Sequence, residues 1–203
     1  MKNKLVAITA VALGLAATSS HAVIIDFNTG TAFPYSEEGF TVTTSSSGVV
    51  NFGGCAPACA NNGTRNVFIG ASGASVAISA VGGGVFSLLG FDIGELFQGM
   101  PATWSSNIQV TGFLSGGGTF VSSFFLDGVH DGSGGAVDMQ AFSPAGFANL
   151  TSATFASLSG GGFTLDNVNV VAGATTNVPE PGTLALLGLG LAGLLSARRR
   201  RAA

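Results

Sequence analysis

Short runs of apolar, β-branched and aromatic residues recur along residues 23–177, separated by breaks rich in glycine and serine. In several runs apolar and polar side chains alternate, which is typical of strands with one buried face. Three Gly-Gly-Gly triplets suit hairpin turns and cannot continue a helix cheaply. No stretch of ten or more residues in this region carries a convincing 3.6-residue apolar repeat. The pattern predicts strands near 23–28, 39–45, 48–53, 65–70, 75–81, 86–94, 106–114, 118–127, 136–143, 151–157 and 163–171.

Many short strands with turns every 8–12 residues predict an all-β fold: a single antiparallel β-sandwich of the jelly-roll kind over residues 23–177. A β-helix is the alternative, although no repeat of fixed period is present. A disordered glycine-rich segment is excluded, because this region holds all 16 phenylalanines of the chain and disorder goes with few aromatic residues.

Charge is scarce and unevenly placed. Charged residues make up 8% of the chain, against about 25% in an ordinary domain. Between residues 23 and 177, nine carboxylates accompany one basic residue, Arg65, so this region carries 1 − 9 = −8 although the whole chain carries −3. This balance excludes an ordinary nucleic-acid binder, because such proteins need basic groups to replace phosphate counterions.

Residues 1–22 have the organisation of a secretory signal peptide. Lys2 and Lys4 give a positive start, residues 5–17 form an apolar core, and Ser20-His21-Ala22 is a small-residue cleavage site. The apolar run is shorter than the ~20 residues that a spanning helix needs. We therefore expect the secretion machinery to export the chain and signal peptidase to cleave it after Ala22. The mature protein would then begin at Val23 in an oxidising compartment.

Residues 178–203 have a second, distinct organisation. Pro179, Glu180 and Pro181 precede an uncharged segment at 183–197, and a basic cluster follows, formed by Arg198, Arg199, Arg200 and Arg201. The uncharged segment predicts a short transmembrane helix in the inner membrane. The arginines predict a cytoplasmic C-terminus by the positive-inside rule, with everything before Pro179 outside.

This order of motif, helix and arginine cluster resembles the PEP-CTERM sorting signal of Gram-negative bacteria. The resemblance implies an exosortase as partner, an integral-membrane, cysteine transpeptidase-like enzyme. It removes the helix near the Pro-Glu-Pro motif, and the protein then reaches the cell surface or the medium. Such proteins usually accompany exopolysaccharide production and biofilm formation. A second resemblance links the segment Gly162–Val170 and the opening strand Val23–Phe27 to jelly-roll domains related to carbohydrate-binding modules, which supports the sandwich fold.

Cys55 and Cys59 are separated by three residues in a segment of Gly, Ala, Pro and Asn. In an exported protein, this spacing predicts a disulfide that closes a surface loop. A zinc or redox site is disfavoured, because His130 is the only histidine left after signal removal and the spacing is not Cys-x-x-Cys.

The apolar alternation of the last predicted strand changes face at Asp166 and Asn167, which predicts a β-bulge. Oxygen-rich clusters with spare negative charge suit Ca²⁺. We therefore predict a calcium site formed by Asp26, Asp166 and Asn167. The alternative is that Asp166 or Asn167 caps a turn.

Candidate catalytic and ligand residues are few. Asp92 and Glu95 would need a bulge at Gly94 to converge as a glycosidase pair. His130 is a candidate base for a serine hydrolase, but the sequence contains no Gly-x-Ser-x-Gly motif to supply the nucleophile. Trp104 follows a loop-like segment and is a candidate platform for a sugar ring, with burial in the core as the alternative.

The sequence therefore predicts a protein that is not an enzyme. The first hypothesis is an exported, exosortase-processed β-sandwich of the cell surface or extracellular matrix that binds polysaccharide. The alternatives are a polysaccharide-degrading enzyme and a purely structural surface protein that self-associates.

Overall fold

A computed structural model describes residues 21–45, 50–52, 59–60, 62–70, 73–97, 99–129, 139–158 and 160–173. These residues form β1 (Ala22–Ile25), β2 (Tyr35–Glu37), β3 (Phe40–Thr44), β4 (Val50–Phe52), β5 (Val67–Ile69), β6 (Ser75–Ala80), β7 (Phe86–Glu95), β8 (Asn107–Leu114), β9 (Thr119–Phe125), β10 (Met139–Phe142), β11 (Leu150–Ser157) and β12 (Phe163–Ala172). Two 3-10 turns, Val81–Gly83 and Pro101–Thr103, precede β7 and β8. Within this part of the chain no helix is long and apolar enough to cross a membrane, and the predicted helix at 183–197 lies outside it.

The strands build two antiparallel layers. The front sheet has the order β2-β3-β6-β11-β8-β9. In the back sheet, β12 pairs with β7 on one side and with β1 and β5 in succession on the other, while β10 and β4 flank β7 and β5. The layers are joined where Leu150 of β11 pairs with Phe86 of β7. The predicted β-sandwich is thereby confirmed.

The core lies between the two sheets, because alternation turns every second side chain of each strand inward. The largest fully buried side chains include Phe27, Phe40, Phe86, Phe91, Phe155 and Phe163. Phe91 packs edge-on against Phe124 and Phe155, with ring centroids 5.0 Å and 5.1 Å away. Each such pair contributes about 0.5–1.5 kcal/mol beyond the area that it buries.

Each predicted strand has a counterpart in the structure. The prediction missed β2, a three-residue strand that follows Pro34 and reaches β3 through Glu38 and Gly39. Such a strand is too short to show alternation, and only its pairing with β3 defines it.

Gly161 and Gly162 are required by close approach rather than by a turn. A Cβ on Gly161 would lie 2.2 Å from the carbonyl oxygen of Trp104, and one on Gly162 would lie 2.1 Å from that of Ile69. This contact fixes the loop after β11 against the segment before β8, and Trp104 and Gly162 form an isolated parallel bridge there. The glycine triplet at 160–162 therefore does more than permit the hairpin turn suggested by its composition.

Candidate functional site

The predicted bulge in the last strand is present in β12. The register against β7 shifts between Asp166 and Asn169, and Asn167 adopts a left-handed backbone conformation with φ 47°. Asparagine tolerates this conformation better than most residues, because its short amide can bond locally. The bulge brings Asp166 and Asn167 of β12 next to Asp92 of β7.

Asp166 is fully buried and lies at the centre of a hydrogen-bonded cluster. The backbone N–H of Asn167 donates to its Oδ1 over 2.7 Å, and Thr64 Oγ1 contacts its Oδ2 at 2.9 Å. The Asn167 amide donates to Asp92 Oδ2 over 2.7 Å. Thr64 Oγ1 also contacts Asn62 Oδ1, which accepts the backbone N–H of Thr64 over 3.1 Å. The cluster thus ties the loop before β5 to the bulge.

A chain of oxygens runs from Asp166 through Thr64 to Asn62, and the hydrogen bonds that Asp166 accepts lower its pKa and so oppose the effect of burial. The Thr64 hydroxyl has one proton to donate, and both Asp166 Oδ2 and Asn62 Oδ1 lie within bonding distance of it. A protonated Asp166 can donate to Thr64, which then donates to Asn62, so that every oxygen is satisfied. Burial, with a contribution from the Asp92 charge, raises the pKa of Asp166 from 3.8 to about 6.

Asp26 belongs to a different set of contacts. The backbone N–H of Asn28 donates to its Oδ1 over 2.9 Å, and this bond lowers the pKa of Asp26. Its carboxylate neighbour is Glu37, which accepts the backbone N–H of Phe27 over 3.1 Å and whose pKa is raised by burial. Asp26 thus bonds to Asn28 and lies beside Glu37, whereas Asp166 bonds to Asn167 and Thr64.

The calcium site of Asp26, Asp166 and Asn167 stays a prediction. Among the described residues no group of three or more histidine, cysteine or acidic residues has a metal-binding arrangement. We expect added Ca²⁺ to raise the melting temperature of the EDTA-treated protein, since a dication stabilises ionised Asp166 beside Asp92. An identical titration of Asp166→Asn serves as control. Equal melting temperatures of the wild type with and without Ca²⁺ would remove the site.

Arg65 braces the loop between β4 and β5 against the segment after β1. Its guanidinium donates to the Gly30 carbonyl over 2.6 Å, and its backbone N–H donates to Asn28 Oδ1 over 3.1 Å. One residue on, the buried Asn66 amide donates to the Ala60 carbonyl over 3.1 Å. These side chains have a positioning role that the sequence analysis missed, because their partners lie far away in the chain.

Asp92 and Glu95 do not form a glycosidase pair. The register of β7 against β12 is regular from Asp92 to Glu95, so the two side chains point to opposite faces of the sheet. Glu95 is buried and accepts the backbone N–H of Gly128 over 3.0 Å. The bulge at Gly94 that would bring the two carboxylates together is absent from this described strand. His130, Asp131 and Asp138 lie outside the described residues.

Trp104 is half-buried and anchored at its polar end. The indole N–H donates to the Phe97 carbonyl over 2.7 Å, which fixes the ring beside the loop after β7. The role of Trp104 as a sugar platform stays a prediction.

Cys59 is buried next to the same loop and forms an isolated bridge with Phe97. Cys55 lies outside the described residues, so the Cys55–Cys59 disulfide also stays a prediction.

The outer face of the front sheet is a continuous surface without charge. Alternation and register place sixteen side chains on it, and we call them the hydroxyl face. They are Ser36, Thr41, Thr43, Ser75, Ala77, Ser79, Gln109, Thr111, Phe113, Thr119, Val121, Ser123, Phe125, Ser152, Thr154 and Ala156.

The centre of the hydroxyl face consists of small side chains, and one of its edges is aromatic. Ala77, Thr154 and Thr111 lie side by side on β6, β11 and β8. Towards β9, Phe113 is 42% exposed and Phe125 is 65% exposed. The sequence contains the signal for this surface, since serine and threonine alternate with buried apolar residues along β3, β6 and β11. The sequence alone does not show that these strands are neighbours.

Comparison with known proteins gives one family match and several structural likenesses. Residues 177–201 match the family model described as the PEP-CTERM protein-sorting motif. No curated protein matches the chain.

Among solved structures, the chain is similar to a family 29 carbohydrate-binding module, with 10% identity, coverage of 82% of this chain and 98% of that one, and a TM-score of 0.43. It is also similar to a cleaved adhesin domain of Lys-gingipain from Porphyromonas gingivalis, with 10% identity, coverage of 76% and 99%, and a TM-score of 0.44. An agarase is 12% identical, with coverage of 77% of this chain and 25% of that chain, and a TM-score of 0.42.

Proposed function

We propose that this chain, which carries a PEP-CTERM sorting motif at residues 177–201, is an exosortase substrate whose β-sandwich binds uncharged polysaccharide at the cell surface or in the extracellular matrix. The motif marks an exported protein with a C-terminal sorting signal. The observation that carries the binding proposal is the hydroxyl face, whose sixteen side chains are all uncharged.

The chemistry of the hydroxyl face fits a polymer of neutral sugars. Hydroxyl and amide side chains both donate and accept hydrogen bonds, as sugar hydroxyls do. No ion has to be stripped of water when a ligand covers the face, and burying an unpaired charge is costly. Exposed Phe113 and Phe125 offer apolar surface to the C–H faces of sugar rings.

The dimensions of the hydroxyl face suit a chain molecule rather than a single sugar. Six strands spaced about 4.8 Å apart give a surface about 24 Å wide. Small side chains at its centre, such as Ala77 and Ala156, keep it shallow. A shallow surface of this width fits an extended polymer lying across the strands.

The charge of the domain selects against acidic polymers. Residues 23–177 carry −8, and a field of one sign repels a polyanion while leaving a neutral chain unaffected. We therefore expect neutral glucans or galactans, together with any uncharged exopolysaccharide of the host, to bind better than alginate or other polyuronates.

Ala77→Arg is expected to weaken polysaccharide binding by about tenfold or more. A tenfold loss of affinity corresponds to about 1.4 kcal/mol of binding free energy. The arginine would project from the centre of the hydroxyl face and displace the polymer from it. Ala141→Arg is the matched control, because Ala141 lies on β10, opposite Asp92 in the back sheet. Affinity electrophoresis of the processed protein in gels containing the host exopolysaccharide measures both.

Three results would contradict this assignment. Equal retardation of Ala77→Arg and wild type would place the ligand elsewhere. Unretarded migration of the folded wild type in all neutral polymers would leave the purely structural alternative. Release of reducing ends from the polymer would instead support the polysaccharide-degrading enzyme.

A further inference from the structure

The outermost strand of the front sheet, β9, has an open edge in the part of the chain that the structure describes. β9 covers Thr119–Phe125 and, among the described strands, pairs only with β8. Five of its seven residues are exposed, including Phe120, Val121 and Phe125, which are 37%, 49% and 65% exposed. An open edge presents a row of backbone donors and acceptors to any strand that approaches it.

The hydrogen-bond pattern between β8 and β9 shows which backbone groups of β9 face the open edge. Leu114 N–H donates to the Gly118 carbonyl, and Leu126 N–H donates to the Ser106 carbonyl. In an antiparallel ladder the hydrogen-bonded pairs recur every second residue. The backbone N–H and C=O groups of residues 120, 122 and 124 therefore point towards β8. The N–H and C=O groups of Thr119, Val121, Ser123 and Phe125 therefore point away from β8.

The other described outer strands are protected in ways that β9 is not. β2 and β4 have three residues each, and β1 and β10 have four each. β2 also contains Glu37 and directly follows Pro34. Short strands, charges and prolines are the usual means of blocking edge pairing. β9 is seven residues long and contains none of these features, nor a glycine.

We propose that β9 is a homodimerisation edge, at which a second copy of this chain adds its own β9 in antiparallel orientation across a two-fold axis at Ser122. This register pairs all seven residues. It places Val121 opposite Ser123 of the other copy and Thr119 opposite Phe125, and these four residues carry the outward-facing backbone groups. The two front sheets then form one continuous sheet.

Charge favours a second copy as the occupant. Each domain carries −8 over residues 23–177, so two copies can approach closely only through a neutral surface. β9 supplies one, and the nearest acidic residue along the chain is Asp127, two positions beyond the strand. In the proposed register Asp127 falls opposite Gly117 of the other copy, within the Gly116–Gly118 turn, so the two Asp127 residues remain far apart.

The side chains are also compatible with self-pairing. Phe120 lies opposite Phe124 of the other copy on the inner side of the sheet, and aromatic cross-strand pairs are stabilising. Within one molecule these rings already pack edge-on against Phe147 and Phe142, with centroid distances of 4.8 Å and 5.4 Å. They are therefore held in place before a second strand arrives.

Sedimentation velocity of the processed, secreted protein over a range of concentrations tests this proposal. We expect the wild type to show a concentration-dependent monomer–dimer equilibrium. Ser123→Pro removes an edge donor without touching the bonds to β8, and Val121→Lys adds a charge to the edge. Each should raise the dimer dissociation constant by about tenfold or more, corresponding to at least 1.4 kcal/mol.

Thr43→Lys is the matched control, because Thr43 lies on the same outer face but on β3, which is paired on both sides. It should dimerise like the wild type. Circular dichroism checks that each variant is folded. If Ser123→Pro does not fold, Val121→Lys still tests the edge. A wild type that stays monomeric up to its solubility limit would overturn the proposal. So would dimers that both edge variants leave unchanged. Neither result bears on polysaccharide retention, which Ala77→Arg tests separately.

Discussion

Protein recovered from the surface or medium of its native host is expected to lack both ends of the 203-residue chain. We expect signal peptidase to remove residues 1–22 and exosortase to cleave near Pro179-Glu180-Pro181. By the positive-inside rule we expect the arginines at 198–201 to keep the C-terminus in the cytoplasm. Proline disfavours helical continuation, so we expect Pro179 and Pro181 to keep the motif accessible to a membrane peptidase. Intact-mass spectrometry measures both cuts at once.

Replacing Glu180 with Ala, or deleting Arg198–Arg201, should leave a longer form retained in the membrane fraction. Glu38→Ala is a suitable control, because Glu38 is an exposed turn residue before β3 and should not affect processing. A secreted wild-type species that still carries residues 183–203 would contradict the sorting assignment. Membrane retention of Glu38→Ala would show that retention reports misfolding rather than sorting.

Asp166→Asn is expected to make the domain more stable at pH 7 to 8, by about 3 kcal/mol, while changing little near pH 4. The folded-state pKa of Asp166 is about 6 against 3.8, and two pKa units correspond to about 3 kcal/mol. Because the folded state holds this proton more tightly, the stabilisation is present below pH 4 and is lost as pH rises through 6. Asparagine keeps the favourable arrangement at all pH values, since its amide can donate to Thr64 as a protonated Asp166 does.

Chemical denaturation at several pH values, with EDTA present, gives the free energies of unfolding. Asp26→Asn is the control of opposite sign: the pKa of Asp26 is lowered by the Asn28 N–H, so its removal should destabilise the domain at neutral pH and matter less in acid. Burial also raises the pKa of Glu37. Glu37 contributes the same pH dependence of stability to the wild type and to Asp166→Asn, so the difference between these two proteins reports the effect of Asp166 alone. A stability difference between them that is independent of pH would show that Asp166 ionises normally.

The fold could be predicted because the pattern that specifies it is local. Alternation along the chain is repeated in strand after strand, and the glycine-rich breaks delimit each strand. The bulge at Asp166 was predictable for the same reason, since a change of face within β12 is visible in the sequence. The short strand β2 was not, because three residues after Pro34 carry no periodicity.

The candidate sites were harder to predict because they depend on which strands are neighbours. Thr64 reaches Asp166 from 102 positions away in the chain, and no sequence pattern links the two. Asp26 and Asp166 share a chemical type and lie near the two ends of the domain, yet contacts from distant residues help to hold them: Thr64 bonds to Asp166, and Arg65 bonds to Asn28, which in turn bonds to Asp26. The hydroxyl face likewise exists only because β6, β11 and β8 lie side by side.

The position of β12 constrains when this domain can fold during export. β12 lies between β7 on one side and β1 and β5 on the other, yet it is the last strand of the described chain and ends at Ala172. β1 is the first strand to emerge during translocation, and among the described strands it pairs only with β12. Pairing the two ends of a domain carries a large loop-closure entropy. The strand pairing of the back sheet therefore stays incomplete until nearly the whole domain has been translocated. It is completed at about the time when the sorting signal reaches the membrane.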